Sequence, residues 1–140
     1  MYGGYALVAC HELGLHLGES PKKIFSDGKV GRPSVEGQAD YYATLKCLRR
    51  LFRNDDNESK IAGIEVPPVM KNKCSKNFKT SFKTSWEIAI CIRTGSAGIA
   101  VSTISAEILN TQWPAVESPD PTQVDTTYEG HPIPFSRGNL

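Results

Sequence analysis

The chain lacks a charge excess of either sign: sixteen lysines and arginines face fifteen aspartates and glutamates over 140 residues. Without a basic surplus there is no electrostatic footprint for nucleic acid or an anionic membrane surface, so no nucleic-acid partner is expected. It also lacks an obvious apolar run approaching the roughly 18 residues of a bilayer crossing, and no membrane span is expected. No basic stretch precedes the apolar residues 5–10 and no small-residue cleavage site follows them, which makes them a poor signal peptide. No two cysteines form a CxxC pair, which removes zinc-ribbon and thioredoxin-like motifs. Internal repeats and low-complexity blocks are missing too. What remains is a length that suits one domain with a proper core.

Cys10, Cys47, Cys74 and Cys91 are widely spaced and fit either disulfides or reduced core thiols. Four cysteines allow three pairings, and the spacing selects none. The apolar setting of Cys10 predicts a buried free thiol there, with a bridge among the other three.

Apolar residues between 4 and 18 (Tyr5, Leu7, Val8, Leu13, Leu15, Leu17) predict a buried helix ending near Gly18. Residues 19–33 are rich in Gly, Pro, Ser and Lys, with Ser26-Asp27-Gly28 as a turn signal, and read as loop. A second helix is expected from Ser34 to Arg53, with Ser34 as N-cap, Glu36 at its positive start and Arg49, Arg50 and Arg53 at its end. Residues 54–60 form a polar break, and 61–83 read mostly as loop. Residues 86–109 carry enough β-branched side chains to give a strand some weight. A long helix is favoured, with a break at Gly95 or Gly98. Five of the nine prolines follow Asn110. The fold expected is therefore mainly α, possibly α+β with a small or missing sheet: a helical domain over 1–110, then an extended proline-rich tail over 111–140.

The chemistry-bearing residues form two clusters. His11-Glu12-Leu13-Gly14-Leu15-His16 opens one, and Glu36-Gly37-Gln38-Ala39-Asp40 the other. In an HExxH helix the histidines at i and i+4 lie about 40° apart around the axis and can grip one zinc ion. The glutamate beside the first histidine can then activate metal-bound water. A third ligand from a later helix closes such a site and leaves a fourth position for water.

These two segments resemble the zincin metallopeptidases of the gluzincin branch, where HExxH is joined by a glutamate from an ExxxD or ExxAD-type motif on the next helix. The phrases CHELGLHLG and VEGQADYYATLKCLRR also look like a bacterial family of small exported metalloprotease-like proteins. The resemblance covers residues 4–53 best and 90–98 less specifically. It implies a zincin-like core with an active-site helix and a glutamate helix. By the same resemblance His11 and Glu36 are metal ligands, Glu12 is the general base, and Asp40 is a carboxylate that orients a histidine. Zn2+ is the cofactor implied, with a peptide or protein as substrate or partner and an exported location.

Leu15 departs from that pattern, because it stands where the second histidine belongs. His16 follows one residue late, and five helical residues amount to roughly 140° around the axis. Only a π-bulge, which Gly14 would tolerate, could align His16 with His11 as a third ligand. Ten residues precede His11, too few for the edge strand with which gluzincins hold substrate. That leaves a fragment, another peptide-binding element, or no peptide at all. The expected function is a zinc metallopeptidase-like domain impaired by Leu15. Its rivals are an inactive pseudo-peptidase with a binding or structural role, and an unrelated helical domain in which His11 and Glu36 never meet.

Three weaker signals complete the inventory. His131 in the tail reads as an exposed loop residue rather than a replacement ligand. Tyr41 and Tyr42 fit oxyanion support and helix packing equally. Lys71, Lys73, Lys76, Lys79 and Lys83, with Phe78 and Phe82 between them, form a basic–aromatic pattern usable for single-stranded nucleic acid. In a chain this neutral, a solvated loop anchored by two aromatics is the better reading.

Overall fold

A computed structural model describes residues 2–77, 84–111 and 117 of the chain. Helix α1 (Tyr2–Leu17) is followed by strands β1 (Lys22–Ile24) and β2 (Val30–Ser34), which pair as an antiparallel hairpin. Helix α2 (Glu36–Tyr42) runs through a π-helical turn (Ala43–Cys47) into α3 (Leu48–Leu51). Helices α4 (Asn57–Ile61), α5 (Pro68–Asn77) and α6 (Thr84–Ile108) complete the described fold, which is mainly helical with one two-stranded sheet.

Residue type accounts for most of these elements. The Ser26-Asp27-Gly28 turn closes the hairpin: Gly28 has φ +78°, a region open to glycine, and Lys29 N–H donates to Asp27 Oδ1 at 3.0 Å. The segment expected as loop over 19–33 is therefore largely a hairpin. Ser34 ends β2 instead of capping α2. The N-cap is Val35, which offers no side-chain acceptor, while the buried Ser34 hydroxyl donates to the Glu19 carbonyl. Asp56 caps α4 by accepting from Ser59 N–H, so the polar break also holds a short helix. Residues 68–77 are helical rather than loop, starting at Pro68, a residue favoured in a first turn. Of the basic–aromatic pattern, Lys71, Lys73 and Lys76 lie on α5, whereas Phe78, Lys79, Phe82 and Lys83 fall outside the described residues, as does His131.

Helix α6 is central and unbroken. It packs against α1, α3, α4 and α5. Gly95 does not break it: a Cβ there would lie 2.9 Å from Met70 Sδ, so this glycine lets α5 approach. One core cluster joins Leu7, Cys10, Ala43, Leu48, Phe52, Ile90 and Ala97, and a second joins Val66, Met70, Cys74 and Ile92. Each is stapled by a disulfide, Cys10–Cys47 and Cys74–Cys91. Cys10 is thus bridged rather than free, because the helices that follow bring Cys47 onto its buried face. By length and composition α6 is also apolar enough to cross a membrane, which the sequence reading did not anticipate. Its polar residues are mostly Ser and Thr, so apolar content accumulates without one uninterrupted run.

Helix α1 differs most in the face it buries. Leu7, Cys10, His11, Gly14 and Gly18 turn inward at helical spacing, while Tyr5, Val8, Leu13 and Leu17 face outward. Counting apolar residues suggested a buried helix, but the buried side is made largely of small ones. The reason lies at Gly14, where a Cβ would sit 2.7 Å from the Ala39 carbonyl oxygen and 2.9 Å from its Cα. The backbones of α1 and α2 touch there, and nothing larger than glycine fits.

Candidate functional site

The approach at Gly14 places His11, one turn earlier on α1, against the first two turns of α2. His11 is buried, and both ring nitrogens meet carboxylates. Nδ1 lies 2.8 Å from Asp40 Oδ1 and Nε2 lies 3.0 Å from Glu36 Oε2. Glu36 and Asp40 are four residues apart on one face of α2, so a single helix supplies both. An imidazole donating at both nitrogens is an imidazolium. The Asp40 hydrogen bond is the main cause holding the His11 pKa above its usual value; burial opposes it, and the charges of Asp40 and Glu36 add to it.

The remaining Glu36 oxygen is also engaged. Lys23 Nζ, on the hairpin, lies 2.5 Å from Glu36 Oε1. The Glu36 side chain is 9% exposed, a burial at which a lone carboxylate would be strongly disfavoured. The cluster therefore runs Lys23–Glu36–His11–Asp40, with basic groups and carboxylates in alternation.

The other expected site residues do not join it. Glu12 and His16 are exposed on the outer side of α1. Helix α1 is α-helical throughout, without a bulge at Gly14, so His16 points roughly 140° away from His11. The π-helical turn lies instead at Ala43–Cys47, beyond Asp40. Leu15, half-buried, stands where the second histidine of HExxH would be. Tyr41 is exposed and Tyr42 half-buried.

Among the described residues, no group of three or more His, Cys, Asp or Glu side chains converges on a point a metal ion could share. A catalytic zinc site needs three protein ligands and an open position. Here His11 and Glu36 are the only pair of the implied set that meets, and an ammonium already sits on Glu36. The donor set does not fit a catalytic zinc ion.

Comparison with known proteins found no family model, curated protein or solved structure that matches the chain.

Lys23 is not marked out in the sequence, because residues 19–33 have the composition of a loop. The two lysines before Ile24 point to a cation for Glu36 only once that carboxylate is known to be buried.

Proposed function

We propose that the chain is a peptidase-related domain of the gluzincin kind that acts without hydrolysis, as a binding or structural domain for a peptide or protein. One observation carries the kinship: His11 stands between Glu36 on Nε2 and Asp40 on Nδ1. A gluzincin uses the same three residue types in those roles, with the glutamate beside the metal-facing nitrogen and a carboxylate behind the ring. Loss of hydrolysis follows from the donor set. Leu15 contributes no ligand, His16 faces solvent, and Glu36, 3.0 Å from His11 Nε2, favours a proton there over a lone pair. Without a metal ion held by His11, Glu12 would have no activated water to deprotonate.

The two disulfides suit an oxidising compartment, and an exported protein is part of this proposal. The outward residues of α1, with Tyr5 78% and Leu17 60% exposed, supply apolar surface to a polypeptide partner.

Zinc content and peptidase assays test the reading together. After dialysis against excess zinc, elemental analysis beside a chelator-treated control should find no stoichiometric metal, and peptide hydrolysis should stay at background. Leu15→His should confer measurable zinc binding by restoring a ligand at i+4. Stoichiometric zinc in the unaltered chain, with hydrolysis abolished by Glu12→Gln, would instead establish an active metallopeptidase.

A further inference from the structure

We propose that Lys23 is a built-in cation that holds Glu36 in place of a metal ion and keeps divalent metal from that carboxylate; the inference rests on the gluzincin reading above. Three observations support it. Glu36 is a buried carboxylate whose two oxygens face His11 and Lys23. Lys23 is itself largely covered, with its side chain 30% exposed.

The third observation is how the chain delivers Lys23. Hairpin pairing is regular at Lys22↔Ser34 and Ile24↔Val30, with an irregularity between Lys22 and Ile24. Between these pairs β1 has Lys23 alone whereas β2 has Gly31, Arg32 and Pro33, so the extra residues bulge out of β2 and bend the ladder opposite the point where Lys23 turns onto Glu36. The neighbouring Lys22 anchors the strand, donating to the Gly18 carbonyl and, at 3.1 Å, to Ser34 Oγ. The hairpin thus ties the end of α1 to the start of α2 and turns one lysine onto the buried carboxylate. An ammonium delivers positive charge and hydrogen bonds to Glu36 without needing further ligands, whereas zinc needs three or four. With Leu15 in place of a histidine, the lysine is the cation this donor set can hold.

Zinc titration by calorimetry on four full-length chains tests this: unaltered, Leu15→His, Lys23→Met, and the double variant. Leu15→His should bind zinc weakly, and the double variant on the order of tenfold more tightly or better, the scale typical of groups just outside a metal's ligand shell. Equal zinc affinity in Leu15→His with and without Lys23 would overturn the role of Lys23 while leaving the gluzincin reading intact. No zinc binding by either folded variant would overturn both.

Lys23→Met leaves Glu36 without its cation and should unfold at lower temperature in chelator. Lys23→Arg should restore that temperature and, combined with Leu15→His, still weaken zinc. If the double variant is unfolded in chelator, recovery of its helical circular dichroism on adding zinc supports the proposal, and failure to recover overturns it.

Discussion

His11 lies between two carboxylates that favour its charged form, and this gives its protonation a bearing on how stability responds to pH. Its folded pKa is raised above the reference value of 6.5, with the Asp40 hydrogen bond as the leading cause. For a raised histidine, the stabilisation is fully present below the unfolded pKa and is lost as pH rises through the folded one. Urea midpoints should therefore fall as pH rises above the ordinary histidine range, where the unfolded chain has lost the proton that folded His11 still holds. His11→Gln, which cannot be protonated, should remove that slope, and an NMR titration should place the imidazole transition above that of a model histidine. An unchanged slope in His11→Gln would show that another group sets it. His11, Glu36 and Asp40 were all legible in the sequence as residue types at meaningful spacing. Lys23 was not, because lysine in a Gly/Pro/Ser-rich stretch is indistinguishable from a solvated side chain until a buried carboxylate is placed opposite it.

At the scale of elements, glycines decide the geometry. Gly14→Ala would drive a Cβ into the Ala39 backbone, at 2.7 Å from its oxygen. Backbone cannot move aside like a side-chain tip, so the expected cost is about 1–3 kcal/mol, the usual range for overpacking. Gly37, on the exposed side of α2, offers the control. A Cβ there meets nothing within 4 Å, so Gly37→Ala should stabilise by roughly 0.5–1 kcal/mol through helix propensity alone. Urea denaturation of the two variants should give opposite signs. The same substitution has opposite consequences at these two positions because one faces another backbone and the other faces water. Apolar density revealed α1 and α6 and near-helical spacing revealed α2, whereas the hairpin and α5 were hidden by loop-like composition. Short strands such as Lys22–Ile24 carry too few residues for alternation to register.

For the whole molecule, one disulfide ties α1 to the π-helical turn and the other ties α5 to α6, the helix that follows it. They span separations of 37 and 17 residues, for which loop-closure entropy corresponds to about 4 and about 3 kcal/mol. Domains of this size are stable by only about 5–15 kcal/mol. Reduction should accordingly lower the thermal midpoint by roughly 10 °C or more per bridge, measured by circular dichroism with and without a thiol reductant. Cys10→Ser should reproduce the larger part of the loss and, because Cys10 precedes His11, also loosen the α1–α2 contact. A midpoint insensitive to reductant would show that packing around α6 suffices alone.

What the sequence determined by itself is the chemistry available: a histidine followed by a glutamate on one helix, two carboxylates a turn apart on the next, a near-neutral charge balance, and a leucine where a second histidine would complete a metal grip. These are properties of residue type and spacing, which local structure preserves. Tertiary structure decided the remainder, since it depends on which surfaces meet. Gly14 against Ala39 set the distance at which His11 could reach both carboxylates, and the order of helices paired Cys10 with Cys47. The hairpin carrying Lys23 determined which cation would neutralise Glu36. Each outcome is a contact between segments far apart in the chain, and such contacts leave no periodicity in the sequence to read.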